Sequence, residues 1–596
     1  MSAKACSVFL LCSLVIMTSS GCQSTPQPDR IARNAPATTV ERQASEKKVS
    51  ATPLAGAQNL APILDAAEMH VASGDPYLAH ALLRSIQLEK ADPNSASRTA
   101  RLRVESSISL GLIREPLDWL ANPALDEAEA SRLRAQLCEA RNDYACVFQQ
   151  LTRSAEPETD QTSMNDQIWM ALVSASQEQE LQTLAEASAD SQTATGWIAL
   201  LQLVRAATAL SSEQKAWAAW KLRFSKHPAA IALPKALRYL DVGRSSEPPR
   251  VAVFLPLSGQ LQPIGRAVRD GIVSAHITEG ASHVESSGFP SLRFYDAATT
   301  PISELVGQAL KDGATTIIGP VLREGVSALL MNPPGIPVIA LNYSGNRTTS
   351  TPNSFFQMGI AIEDEAKSIN ERLHARRYQR PLFVVSQTGW ADRAMSQITT
   401  VGGRDPQILR VRSAGELTGL VGGALVSTPK FIRKNSIRAI TGLPVIISPD
   451  KQHDFDAIVA FTEPVQTSTL GPALSYHSFG RIDAYMGTQS FRSANDVAGL
   501  GKVTVSYLPV MFAQNGFNHA LRRSWLGQSA ADISFFALGA DAYRLLRRLP
   551  SSETGNVRTI WGASGLLLLD ENQVVRRVQS FGTFHNGALH PFITAN

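Results

Sequence analysis

"RVAVFLPLSGQLQPIGRAVRDG" (Arg250–Gly271) is the stretch on which the reading of this chain turns. Val251, Val253 and Leu255 favour a strand, and Ala252 and Phe254 extend the apolar run to both of its faces, as in a strand buried within a parallel sheet. Pro256 ends it, and Ser258 and Gly259 make a turn. The amphipathic stretch that follows carries Gly265 and Gly271, which let another segment approach a helix closely. Each costs about 1 kcal/mol relative to Ala inside a helix. A strand–turn–helix of this kind sets Ser258 and Gly259 at the carboxyl edge of a sheet. Open α/β folds bind ligands at that edge, with anionic groups facing a helix N-terminus.

The same rhythm continues towards the C-terminus. "SLRFYDA" (Ser291–Ala297), "ATTIIGPV", "IPVIALN", "RPLFVVSQ", "FDAIVAFT" and "RIDAYMGT" read as strands, with helical segments such as "PISELVGQALKDG" between them. Alternating strands and helices predict parallel sheets covered by helices. Residues 250–596 are too many for one compact sheet, so two lobes are expected. "GLLLLDENQVVRR" reads as a β-hairpin near the end.

Upstream the period changes. From Leu60 to Leu240 the pattern is helical throughout. Leu60, Ile63, Ala67 and Val71 share one face; Asp75 and Pro76 open a second helix with Leu78, Leu82 and Ile86 as its apolar stripe. "SSEQKAWAAWKLRF" starts with a capping-box pattern, Ser211 to Gln214, and puts Trp217, Trp220 and Phe224 on one face. That stripe reads as core. Short helices joined by tight turns predict stacked antiparallel pairs in a tetratricopeptide-like solenoid over 58–243. "RSSEPPR" (Arg244–Arg250) is the joint to the next domain.

The N-terminus reads as an export signal over 1–21. Lys4 is followed by the apolar "SVFLLCSLVIM" and then by "TSSGC", ending at Cys22. A small residue before a cysteine at this place matches the bacterial lipoprotein pattern, in which Cys22 becomes acylated; the alternative is ordinary secretion with cleavage near Ser20–Gly21. Gln23 after the cysteine resembles the outer-membrane sorting choice. Residues 22–57, rich in Ser, Thr, Pro, Ala and Gln, read as a disordered tether. Such a tether spans about 30 Å on average and roughly 110 Å fully stretched.

The 596 residues carry 44% hydrophobic and 18% charged side chains and a formal charge of only +4, which predicts a globular chain with ample core and no attraction to nucleic acid. With Cys6 and Cys12 in the signal and Cys22 acylated, Cys138 and Cys146 remain. "EARNDY" between them reads as a helix–turn–helix corner that could bring them together. A disulfide and a pair of buried free thiols both fit.

The "PLSG…G…G" pattern at Pro256, Leu257, Ser258, Gly259, Gly265 and Gly271 resembles the start of type I periplasmic binding proteins. The longer set "LPLSGQLQPIGRAVRDG", "IIGPVLREGVSALL", "IPVIALN", "FDAIVAFTEP", "FFALGADAYRLLRRL", "KHPA", "GLLLLDENQVVRR" and "FHNG" resembles the penicillin-binding-protein activator family, LpoA, over nearly the whole mature chain. That resemblance implies a helical tetratricopeptide-like solenoid followed by a bilobed α/β domain of type I periplasmic-binding-protein kind over 250–596. It also implies a lipoprotein on the periplasmic side of the outer membrane. Its expected partner is a class A penicillin-binding protein, a bifunctional peptidoglycan synthase, with peptidoglycan itself a further candidate.

Enzyme motifs find no support in the sequence. "GASGLL" at Gly562 is not a nucleophile elbow, "GLGK" (Gly499–Lys502) is not a P-loop, and "HDFD" (His453–Asp456) has no second ligand cluster and reads as a surface turn. No cofactor or metal is expected. The rival to an activator is a lipid-anchored receptor that binds an amino acid or cell-wall fragment between the lobes. Its candidate cleft residues, at predicted strand ends, are Ser258, Gly259, Asp296, Gly319, Asn342 and Tyr343. The alternative for these is structural: Ser258 capping a helix, Gly319–Pro320 shaping a turn and Asn342 satisfying backbone.

Overall fold

The computed structural model describes residues 60–592, apart from 113–117, 154–160, 179–180, 242–246, 281–288, 345–351, 426–435, 445–454, 479–481, 492–493, 498–499, 501–502, 512–515, 525–529, 550–557 and 586–587. The signal segment, Cys22, the tether and His453 therefore lie outside the described residues.

The described residues open with helices α1 (Ala61–Ala72), α2 (Pro76–Arg84), α3 (Pro93–Ser109), α4 (Glu127–Ala140), α5 (Tyr144–Arg153), α6 (Gln161–Glu178), α7 (Leu181–Glu186), α8 (Gln192–Ala206), α9 (Leu210–Arg223) and α10 (Pro228–Ile231). Asp-Pro pairs start two of them. Asp75 Oδ1 accepts from the Leu78 amide at 3.3 Å, and Asp92 Oδ1 from Asn94 and Ser95 at 3.1 and 3.0 Å. Proline follows at the first helical position, where its missing N–H is harmless. The buried stripe of α2 is offset from the expected one: Ala79, Leu83 and Ile86 face the core, while Leu78 is 45% exposed. The capping of α9 also differs. Ser212 Oγ accepts from the Ala209 amide at 3.1 Å, one turn position from the Ser211–Gln214 box, and Ser211 is buried. The aromatic stripe is core as read: Trp217 and Trp220 are buried and stack 5.1 Å apart, and His227 packs edge-on against Trp220.

Beyond Arg250 lie β1 (Arg250–Leu255), α11 (Gln262–Gly280), β2 (Ser291–Asp296), α12 (Ile302–Lys311), β3 (Thr316–Ile318), α13 (Arg323–Met331), β4 (Val338–Ala340) and β5 (Phe355–Gln357). They form a parallel sheet of order β2-β1-β3-β4-β5, the first lobe. The second lobe contains α14 (Ile362–Ala375), β6 (Pro381–Ser386), α15 (Gly389–Met395), β7 (Gln407–Val411), α16 (Ala414–Leu425), β8 (Ala457–Phe461), α17 (Pro464–Ser478), β9 (Asp483–Met486), α18 (Ala494–Val497) and β10 (Val503–Tyr507). Helices α19 (Gly516–Ser524) and α20 (Ala530–Leu546) return to the first lobe, followed by the antiparallel sheet β11 (Arg558–Trp561), β12 (Leu566–Leu569) and β13 (Val575–Val578). β14 (Ser580–His585) and β15 (Ala588–Pro591) then close the second sheet, in the order β15-β14-β10-β9-β8-β6-β7. The expected hairpin is β12–β13, and the two expected lobes are present.

Two contacts define the body. Gly271 on α11 faces Gly539 on α20: a Cβ at Gly271 would fall 1.9 Å from the Phe536 carbonyl oxygen, and one at Gly539 would fall 2.0 Å from that of Val268. The helical region packs on β11–β13, with Trp169 of α6 edge-on to Trp561 at 6.3 Å and its indole N–H directed at Thr559 Oγ1, 3.4 Å away. Beside this seam Glu213 of α9 is buried against Arg544 of α20 and Arg548 in the turn that follows it. Expected as separate domains, the helical region and the first lobe share one buried ion-pair network.

Candidate functional site: the cleft between the lobes

The chain crosses between lobes after β5, after β10 and after β13. The cleft beside these crossings has a volume of about 820 Å³. The first lobe contributes Arg323, at the start of α13, and the Ile533–Leu538 side of α20; the second contributes Trp390, Arg393, Glu463 and Phe491. Arg393 Nε lies 3.2 Å from Glu363 Oε1, so α15 is tied to the first turn of α14 across the floor. Behind the floor Glu365 is buried and accepts from Thr488 Oγ1 at 2.8 Å, from the Thr488 amide and from Ser506 Oγ. This locks the start of α14 to the ends of β9 and β10.

Tyr507, at the second crossing, lines the cleft and is buried. Burial pushes its hydroxyl up to about 12, and the charge of Arg205 at the end of α8 pulls the other way. The helical region thus reaches the back of the hinge. The lining combines apolar and aromatic walls with charged groups of both signs, an arrangement that suits a ligand or chain segment with both polar and apolar parts. Among the described residues no group of three or more His, Cys, Asp or Glu is placed to hold a metal ion, and no helix is long and apolar enough to cross a membrane.

Of the residues singled out from the sequence, Asn342 and Tyr343 line the cleft, whereas Ser258, Gly259, Asp296 and Gly319 are not among its lining residues. Asp296 Oδ1 accepts from the Leu257 and Ala298 amides at 2.8 and 3.0 Å, and bonds from Ser258 add to these. Burial raises its carboxyl, but those bonds outweigh it and hold the group below its ordinary value. Ser258 does not cap α11, which begins at Gln262. Gly259 takes a φ of 68° in the turn. Gly319 takes a φ of 105°, and a Cβ there would lie 2.3 Å from the Phe254 carbonyl oxygen. Asn342 Nδ2 donates to the Val321 carbonyl at 2.9 Å, and its Oδ1 accepts from the Tyr343 amide. The Tyr343 hydroxyl donates to the Val575 carbonyl at 3.0 Å, joining the segment after β4 to β13. All six therefore make internal contacts or turns.

The cleft residues that sequence reasoning missed share a position. Arg323 follows β3, Trp390 and Arg393 follow β6, Glu463 follows β8 and Thr488 follows β9. Each lies beyond the carboxyl end of a parallel strand; the strand-end rule was applied to β1–β4, where it chose Gly319 and not Arg323 after β3, and it was not applied to β6, β8 and β9 of the second lobe. Away from the cleft, Cys138 and Cys146 are joined as a disulfide with Cα atoms 5.8 Å apart. The corner between α4 and α5, where Asn142 adopts a φ of 56°, brings them together. Asp456 of "HDFD" accepts from the Gln379 and Arg380 amides and so fastens a loop.

Comparison with known proteins covers both halves. The chain is 24% identical over 562 residues to the penicillin-binding protein activator LpoA of Pectobacterium parmentieri, covering 79% of this chain and 81% of that one. It is 22% identical over 547 residues to LpoA of Haemophilus influenzae, covering 90% and 83%. The crystal structure of full-length Haemophilus influenzae LpoA shares the fold, with a TM-score of 0.50 at 19% identity, over 89% of this chain and 94% of that one. The profile of the family described as "LppC putative lipoprotein" matches residues 44–587, through the helical region and both lobes, and the chain belongs to that family.

Proposed function

We propose that this protein is a lipid-anchored activator of a class A penicillin-binding protein and that it promotes peptidoglycan cross-linking from the periplasmic side of the outer membrane. The observation that carries the reading is the extent of the likeness. Relatives named penicillin-binding protein activator align across the helical region and the bilobed body alike, up to 90% of this chain. Fold alone would not carry it, because bilobed α/β bodies serve many ends.

Cys22 is the acylation site in this reading, and the tether gives the body its reach. The protein acts without turning over a substrate: it binds the active conformation of the synthase better than the inactive one, since equal affinity for both would shift nothing. The test uses residues 58–596 and a purified class A penicillin-binding protein supplied with lipid-linked precursor. Cross-linking should rise on addition of the protein. Unchanged cross-linking, at concentrations where binding is demonstrated, refutes the reading.

A second reading is favoured by the cleft itself. Its 820 Å³, with Trp390, Arg323 and Glu463 on its walls, would accommodate an amino acid or a small muropeptide. Calorimetry with both classes tests this. Tight binding together with no effect on the synthase would favour a receptor.

A further inference from the structure

Among the described residues, four charged side chains line the cleft between the lobes, two of each sign: Arg323, Arg393, Glu363 and Glu463. Arg393 and Glu363 pair with each other at 3.2 Å. That leaves Arg323 on the wall of the first lobe and Glu463 on the wall of the second. Both are exposed, and among the described residues neither side chain has an ion-pair partner. The charges of the lining cancel, so a phosphate or any other polyanion gains no net attraction there. A ligand with one carboxylate and one ammonium meets the opposite charge on each wall.

The rest of the walls is largely apolar. Trp390 and Phe491 of the second lobe and Ile533, Phe535 and Leu538 of the first face the space, and Ile533 and Leu538 are held in the buried core of the first lobe. At roughly 30 Å³ for each water displaced, the cleft of about 820 Å³ is far larger than a free amino acid of about ten non-hydrogen atoms. The two charges of a free amino acid also sit on one carbon atom, whereas the ends of an extended tripeptide lie about 10 Å apart. We infer that the cleft is a binding site for a short peptide free at both ends. Arg323 receives its terminal carboxylate, Glu463 its terminal ammonium, and the apolar walls its side chains. The inference rests on the second reading above and narrows the ligand of that reading to a peptide with both ends charged.

The experiment is calorimetry of the full mature chain, in detergent, with Ala-Leu-Ala, Ala-Phe-Ala and Ala-Lys-Ala, set against free leucine, phenylalanine and lysine. At least one tripeptide should bind, about tenfold or more tighter than the matching amino acid. Acetylating its amino end or amidating its carboxyl end should each weaken binding about tenfold, the loss expected of a charged hydrogen bond. Glu463→Gln should match the effect of acetylation and Arg323→Gln that of amidation. Both positions are exposed, and an unchanged thermal melt verifies folding. In Arg323→Gln the amidated and free peptides should bind alike, and in Glu463→Gln the acetylated and free ones, because the interaction is then already lost. Blocked peptides that bind the wild type as well as free ones overturn the inference, as does a variant that still discriminates. A free amino acid that binds as tightly as its tripeptide overturns it and leaves the receptor reading standing. If no tripeptide binds, the inference falls; the receptor reading falls with it only if amino acids and muropeptides fail as well.

Discussion

Arg548, in the turn just past α20, donates to Glu213 of α9 at 2.8 Å, across 335 positions of sequence, and both side chains are essentially inaccessible to solvent. The pair is part of a larger set. Arg548 also donates to Glu279 of α11 at 3.0 Å, and Arg544 reaches Glu213 at 3.2 Å and the Ala207 carbonyl at 3.1 Å. Burial works against the charge on Arg548, but the two carboxylates outweigh it and hold the guanidinium above its ordinary value. Helical region and first lobe are joined through this set, which leaves the second lobe as the part whose position can change about the crossings.

Removing Glu213 should therefore be costly. Glu213→Ala leaves Arg544 without its carboxylate and Arg548 with only Glu279. Stripping one partner from a buried pair typically costs about 3–5 kcal/mol. Urea unfolding followed by tryptophan fluorescence is the measurement, because Trp169 and Trp561 flank the seam. A loss below about 1 kcal/mol would mean the seam is held by apolar packing instead.

The α11–α20 crossing makes a second expectation. Any side chain at Gly539 meets the Val268 backbone, which cannot give way as a flexible side chain would. Gly539→Ala should lower stability by about 1–3 kcal/mol, despite the better helix propensity of alanine. Because α20 also lines the cleft, its displacement should alter the quenching of Trp390 by acrylamide. A variant as stable as wild type would show that the helices separate freely.

Legibility in the sequence followed burial. β1 and β8 were readable because both of their faces are covered, which leaves an unbroken apolar run. β7 was not, because it is an edge strand with Gln407 and Arg410 exposed, and β5 is only three residues long. Gly271 was readable as a point of close approach, but its counterpart Gly539 is not near it in sequence. Glu213 sits inside the Ser211–Gln214 helix start, and nothing local in the sequence announces partners at Arg544 and Arg548. The same holds for Arg393 and Glu363, which lie 30 positions apart and meet only once α14 and α15 pack together within the second lobe.

The Cys138–Cys146 bridge carries an expectation in solution. Thiol titration of the exported, unfolded and unreduced protein should find neither cysteine free. A loop of this size, closed across 8 positions, contributes about 2–3 kcal/mol by the chain-entropy account. Cys138→Ser/Cys146→Ser should lose that much in urea unfolding. Two titratable thiols in the exported chain would remove the bridge from the native protein.

Asp541 makes stability depend on pH. Its carboxyl sits wholly buried on α20, where it accepts from the Ser564 amide at 3.0 Å and from the Ala563 amide and Ser564 hydroxyl, holding the turn between β11 and β12. Burial pushes it up to about 6, against the pull of those bonds and of Arg544. A carboxyl raised in the folded state is protonated there more readily than in the unfolded chain. Its contribution is thus fully present below about pH 4 and is lost as pH rises through 6. Two units amount to about 3 kcal/mol at most. Asp541→Asn has no such group to titrate, so the stability of wild type relative to this variant should increase as pH falls from 7 to 4. Paired urea curves at those pH values measure it, and taking the difference cancels the titration of every other carboxylate. A difference that stays flat would mean the three donors and Arg544 keep Asp541 ionised at its ordinary value; one that shrinks would mean they lower it.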